Sequence, residues 1–150
     1  MRALVLSKPG RLDLIDTPPP VAPEGWVRIR MRYIGICGSD IHYYVDGRIG
    51  DQIVEYPHIL GHEASGEILD GAGRFEAGTR IYIEPAKTCG QCDQCLAGRE
   101  NTCRNIQFLG NPGEGGGCMA EEIVMPPECV IPLPEAIGPV SYTHLTLPTN

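Results

Sequence analysis

Four cysteines, Cys89, Cys92, Cys95 and Cys103, stand in the spacing C-x2-C-x2-C-x7-C. Thiolates are metal ligands, and the glycines at 90 and 98 free the backbone to turn four sulfurs toward one point. Four thiolates in a tetrahedron suit Zn2+ in a closed, structural role. An ion that only the folded chain can hold adds its binding free energy to folding. An iron–sulfur cluster is the rival, but the bacterial ferredoxin run puts its fourth cysteine close behind the third and follows it with proline. Here Cys103 is well removed from Cys95 and is followed by Arg104. A nucleic-acid-binding zinc module is opposed by charge, because Glu84, Asp93 and Glu100 cancel Lys87, Arg99 and Arg104.

A second set is spread more widely. Cys37 lies in Gly35-Ile36-Cys37-Gly38-Ser39-Asp40, and His62 with Glu63 lies in Gly61-His62-Glu63-Ala64-Ser65-Gly66. Taken singly, Cys37 reads as a small apolar core residue and the His-Glu pair as a solvated dipeptide. Together they offer the S, N and O donors of a catalytic zinc with one position left open. Asp40 supplies the carboxylate that a ligating imidazole needs for its other ring N–H. His58, Cys118 and Cys129 read as structural.

Both sets need strands to hold them. From Trp26 to Gly35, Val27, Ile29, Met31 and Tyr33 alternate with Arg28, Arg30 and Arg32, which predicts a strand with one core face and one wet cationic face. Shorter strand-like runs are Ala3 to Leu6, Leu12 to Ile15, Gly66 to Leu69, Thr79 to Ile83, Met119 to Val124 and Cys129 to Ile131. Turns such as Pro18-Pro19-Pro20 and Gly71-Ala72-Gly73 separate them. One helical turn is predicted, with Ser39 as N-cap and continuing through Tyr43. Cys37 thus ends one strand and His62 precedes another. A mainly β fold, a barrel or sandwich with residues 84–104 inserted as a lobe, is the expected architecture.

The motifs GICGSD at 35–40 and GHEASG at 61–66 and the four-cysteine run, in this order, resemble the zinc-containing medium-chain alcohol dehydrogenases. Tyr43-Tyr44 with GRIGD at 47–51 is similar to their polyol branch, the sorbitol, L-iditol and xylitol dehydrogenases. The resemblance covers residues 1–137 and implies a GroES-like β-barrel catalytic domain. It implies two zinc ions per chain, one on the four cysteines and one on Cys37 and His62, with Glu63 either a direct ligand or a partner behind the ligands. It also implies that Ser39 takes the substrate hydroxyl proton, that His42 passes it to solvent and that Tyr43 lines the polyol pocket. In a full-length enzyme the polyol would be oxidised with hydride transfer to NAD, in a homo-oligomer.

This sequence departs from that family in its segment between Gly66 and Gly78, which is shorter than usual, and in reading Gly78-Thr79-Arg80-Ile81 where Gly-Asp-Arg-Val is familiar. No G-x-G-x-x-G fits, since Gly113, Gly115, Gly116 and Gly117 lack its register, so the Rossmann domain is expected to be absent from this chain. The residues alone are therefore expected to be inactive. Other readings are another zinc dehydrogenase, such as threonine dehydrogenase, and a GroES-like zinc module without chemistry. Ser39 with Tyr43-Tyr44 favours polyols, and a proton relay has no use in a purely structural module.

Composition agrees with a globular chain: of 150 residues, 42% are hydrophobic and 21% charged, and no apolar run approaches the roughly 18 residues of a membrane span. Lys and Arg number 12 against 19 Asp and Glu, a net charge of -7, which repels phosphate backbones, so neither membrane nor nucleic acid is an expected partner. The 7 cysteines are odd in number and partly clustered, and MRALVLSKPG lacks a signal-peptide pattern, which together predict a reducing, cytoplasmic setting. Residues 138–150 carry no charged side chain and resemble translated adapter sequence, so they are expected to be a non-native tail outside the fold.

Overall fold

Apolar residues every second position drive a set of short antiparallel strands, and a computed structural model describes residues 1–71, 73–136 and 138. The strands are β1 (Arg2–Lys8), β2 (Arg11–Asp16), β3 (Val27–Ile34), β4 (Arg48–Ile49), β5 (Gln52–Ile53), β6 (His58–Ile59), β7 (Ala64–Ile68), β8 (Arg80–Ile83), β9 (Ala86–Lys87), β10 (Gln107–Phe108), β11 (Glu122–Met125) and β12 (Val130–Pro132). Helix α1 spans Gly38–Asp46, and the one-turn α2 spans Asp93–Leu96. One sheet runs β11-β3-β7-β8-β12 and curls into a half-barrel; a second runs β2-β1-β6. The pairs β4-β5 and β9-β10 stand apart from these. The architecture is mainly β, as the apolar runs predict.

The two sheets share a core in which Val5 of β1 meets Val27, Ile29, Ile68, Ile81 and Val130 from the larger sheet, all buried. Burial of a Val or Ile side chain is worth about 1.5–3 kcal/mol, so this layer is the main source of stability. A smaller cluster of Leu6, Tyr43, Val54 and Leu60 seats α1 against β1.

Residues 119–125 change sheets along their length. Leu4 donates its N–H to the carbonyl of Met119 at 2.8 Å and Glu121 donates to that of Arg2 at 3.0 Å, after which β11 pairs with β3. The predicted strand from Met119 to Val124 is therefore two pairings joined at a corner.

The predicted alternation of β3 holds at Val27 and Ile29 and fails at Tyr33. Its pairing with β7 shifts register between Met31 and Tyr33, and Tyr33 is left 44% exposed. A bulge adds one residue to one strand and so reverses which face the later side chains take. The cationic face is paired in part: Arg32 reaches Glu67 at 2.7 Å and Arg28 reaches Asp70 at 2.8 Å.

The helix also differs from its prediction. Its N-cap is Cys37, not Ser39, because the carboxylate of Asp40 accepts the Cys37 N–H at 2.9 Å and closes the first turn two residues earlier. It continues past Tyr43 to Asp46. No helix among the described residues is long and apolar enough to cross a membrane. The expected non-native tail lies, apart from Gly138, outside the described residues.

Candidate metal centres

The chain between β9 and β10 brings the four cysteines together. Their sulfurs all lie within 4.8 Å of one another, with Cys92 to Cys95 at 3.5 Å, Cys92 to Cys103 at 3.9 Å and Cys89 to Cys95 at 4.0 Å. A tetrahedron with Zn–S bonds of about 2.3 Å has edges near ~3.8 Å, so the cluster has the dimensions of a four-thiolate zinc site. The pocket is also prepared electrostatically. Cys89 N–H and Asn105 N–H donate to the Cys103 sulfur at 3.3 and 3.4 Å, and the Asn105 amide donates to Cys89 at 3.7 Å.

Backbone N–H groups of Gln91 and Cys92 draw the Cys89 thiol down to about 6, and those of Arg104 and Cys95 draw Cys92 down as well. Desolvation, together with the crowding sulfurs of Cys92 and Cys103, pushes Cys95 up to about 12. Sulfurs this close cannot all ionise without a cation among them. Arg104 ties the rear of the lobe to Asp93 at 2.8 Å.

The second centre is assembled from distant residues. Cys37 sits at the N-cap of α1, and His62 and Glu63 lie between β6 and β7; their ligand atoms fall within 4.8 Å of one another. All three side chains are half-buried. Asp40 joins the two segments. It is 3% exposed, and while one carboxylate oxygen accepts the Cys37 N–H, the other accepts the Gly61 N–H at 3.0 Å. That second oxygen also lies 3.9 Å from Nδ1 of His62, which places the carboxylate beside the ring. Glu63 is fixed through its backbone, whose carbonyl accepts the Gly35 N–H at 2.7 Å. Three protein donors of S, N and O type fit a zinc site that keeps a fourth position for a small molecule.

The remaining residues singled out in the sequence cluster on α1. Ser39 is half-buried and His42 exposed, three positions apart and so on one side of the helix. His42 Nδ1 lies 3.3 Å from Asp46 Oδ2, a partner that the i,i+4 spacing on a longer helix would have revealed. Tyr43 is 3% exposed, packed into the smaller core, with its hydroxyl donating to Gln52 at 2.9 Å; burial raises its pKa. Its ring packs with Leu6, Val54 and Leu60.

Cys118 and Cys129 are buried, and desolvation pushes them up to about 12 and 11, so both remain neutral thiols in the core. His58 is buried with Nε2 2.8 Å from the Gly110 carbonyl oxygen. Neither that bond nor the Asn105 contact with Cys89 has a spacing rule that marks it in the sequence.

Residues 23–135 match the alcohol dehydrogenase GroES-like domain. A sorbitol dehydrogenase of Bacillus subtilis (strain 168) is 39% identical over 141 residues, 92% of this chain and 40% of that protein. Among solved structures, an Escherichia coli oxidoreductase/dehydrogenase of unknown specificity involved in membrane biogenesis superposes with a TM-score of 0.85 at 30% identity, over 95% of this chain and 42% of that one. An NAD-dependent alcohol dehydrogenase superposes at 0.80 and 30% identity, over 93% of this chain and 41% of its own. The chain spans about two fifths of the length of the relatives it matches.

Proposed function

The chain belongs to the alcohol dehydrogenase GroES-like domain family, and from that premise we propose that it forms the catalytic domain of a zinc-dependent oxidoreductase. The proposed reaction is oxidation of a secondary alcohol of a polyol to a ketose, with hydride transfer to NAD. The observation that carries the reading is the convergence of Cys37, His62 and Glu63, with Asp40 bridging the two segments that bear them.

Zinc held by these three residues would supply a Lewis acid that lets an alcohol lose its proton near neutral pH. The chain's own residues then divide the proton work. The Ser39 hydroxyl takes the proton from the substrate, and His42, exposed three positions along the helix, delivers it to water. Asp46 holds His42 through Nδ1, which leaves Nε2 as the free acceptor. The Asp40 carboxylate stands beside the His62 ring. The four-cysteine lobe takes no part in this path and is assigned a second, structural zinc.

The polyol assignment draws on the likeness to the sorbitol dehydrogenase. The dinucleotide is assigned to polypeptide outside residues 1–150, since no dinucleotide fingerprint occurs in them. The test is NADH formation with a panel of polyols. The protein extended with the downstream sequence of its gene should reduce NAD with sorbitol or xylitol, and residues 1–150 alone should not. Turnover by residues 1–150, or an extended protein that oxidises threonine in place of polyols, would overturn the assignment.

A further inference from the structure

The segment leading to His62 and Glu63 is gripped from two sides. Asp40 accepts the Gly61 N–H on one side. On the other, residues 117–119 lie along it: Gly117 N–H donates to the Ile59 carbonyl at 2.7 Å, Met119 N–H to that of Leu60 at 2.9 Å and Cys118 N–H to that of Gly61 at 2.9 Å. The approach is too close for side chains. A Cβ on Gly117 would lie 2.3 Å from the Leu60 carbonyl oxygen, and one on Gly110, where φ is +80°, would lie 2.8 Å from that of Gly61.

Residues 110–117 thus leave and return to the same short stretch of backbone, and His58 fastens the near end. It is 8% exposed, and its Nε2 lies 2.8 Å from the Gly110 carbonyl oxygen. A carbonyl oxygen only accepts, so Nε2 carries the hydrogen. His58 belongs to neither group of converging donor atoms among the described residues, although it is only four residues from His62.

We propose that His58 is a positioning residue for the Cys37, His62 and Glu63 centre: its Nε2–H bond to Gly110 pins the loop whose backbone sets the height of the Gly61-His62 peptide. Loss of the bond releases the loop at one end and lets the imidazole of His62 drift from the other two donors. Residues hydrogen-bonded directly to a metal ligand typically account for roughly 10–100-fold in affinity; His58 acts one contact farther out, through Gly110, and a loss of about tenfold is expected here. The inference rests on reading that centre as a metal site.

Cobalt(II) titration of residues 1–150 separates the two centres, because four thiolates and a mixed S, N, O set give different ligand-field and charge-transfer bands. Wild-type protein should bind two equivalents. His58→Phe should weaken the mixed-donor site roughly tenfold and leave the four-thiolate bands unchanged. His58→Gln places an amide N–H where Nε2 was and should recover most of that loss. Unchanged affinity and bands at the mixed-donor site in His58→Phe would overturn the proposal, as would equal losses in the Phe and Gln variants, since packing would then be the cause.

A readout independent of any variant is the tautomer of His58 in long-range 1H–15N spectra of the wild-type protein. The Nε2–H form supports the proposal, and the Nδ1–H form overturns it. Wild-type protein that binds a single equivalent of cobalt would remove the metal-site reading itself, and the proposal with it; a second equivalent insensitive to position 58 would remove only the proposal.

Discussion

The two centres offer metal-binding groups of similar reach but are built in opposite ways. The lobe gathers four ligands within one short run of chain, and its supports, Asn105, Arg104 and Asp93, come from the same run. The Cys37, His62 and Glu63 centre takes its ligands from either side of α1 and β4 to β6, and its supports from α1 and from the 110–119 loop. A local site pays little loop-closure entropy and can be made by the ion itself, whereas a dispersed site must be made by the barrel before any ion arrives. The lobe's metal should therefore act on folding, and the barrel's on chemistry.

Exchanging the losses tests that division most strongly. Cys103→Ser should remove one equivalent of metal and unfold the lobe, since structural zinc contributes on the order of 10 kcal/mol. His62→Ala should abolish turnover of the extended protein while leaving the lobe's metal and the barrel's thermal transition in place. Metal analysis with calorimetry on the two variants reads both, and a His62→Ala protein whose lobe also empties would break the division.

Ser39→Ala sharpens it within the barrel. Zinc should stay bound and turnover should fall by roughly 10²–10⁴, the contribution of a positioned proton carrier. Steady-state kinetics on a polyol decides this, and undiminished kcat would remove Ser39 from the proton path.

Asp40→Ala comes next. Its buried carboxylate satisfies the N–H groups of Cys37 and Gly61, which lie in separate segments, and each group left unsatisfied costs about 1–3 kcal/mol. The substitution should lower barrel stability and weaken metal binding at the Cys37, His62 and Glu63 centre together, measurable as a shift in denaturation midpoint with unchanged lobe stoichiometry. An equal effect on the lobe's metal would contradict the comparison.

The smallest effect is expected at Glu121. The backbone N–H of Arg2, then its side chain, hold this carboxyl below its usual value of 4.5. A carboxyl lowered by folding stabilises the fold above its unfolded pKa and loses that contribution as pH falls through the folded one. Wild-type barrel stability should thus decline on acidification from about 4.5 downward, and Glu121→Gln should flatten part of that decline. Acid titration of the melting temperature checks it.

Much of this was legible in the chain because the longer strands carry their own apolar runs, and because four cysteines at fixed spacing have few other uses. What was hidden depends on pairing partners. The bulge after Met31 arises where β3 meets β7, so alternation alone carried Tyr33 to the wrong face. The capping of α1 turned on Asp40 reaching back to Cys37, which outcompeted the better intrinsic cap at Ser39. Tyr43 was drawn into the core by Leu6, Val54 and Leu60, residues from three separate parts of the sequence. The two-residue ladders, β4 to β6 and β9 to β10, are too short to leave any periodicity.

The loop that lies across Ile59 to Gly61 comes late in the chain, and this sets a timetable for synthesis. Chains are made from the amino terminus, and parts that need only neighbouring residues can organise first. Cys37, His62 and Glu63 leave the ribosome early but lack their upper support until Gly117 and Met119 follow. The lobe, translated in between, is complete as soon as Cys103 and Asn105 emerge. On the proposed reading, the four-cysteine lobe would be the first part of the nascent chain able to hold zinc firmly, and the Cys37, His62 and Glu63 centre would close only after that anchor has set.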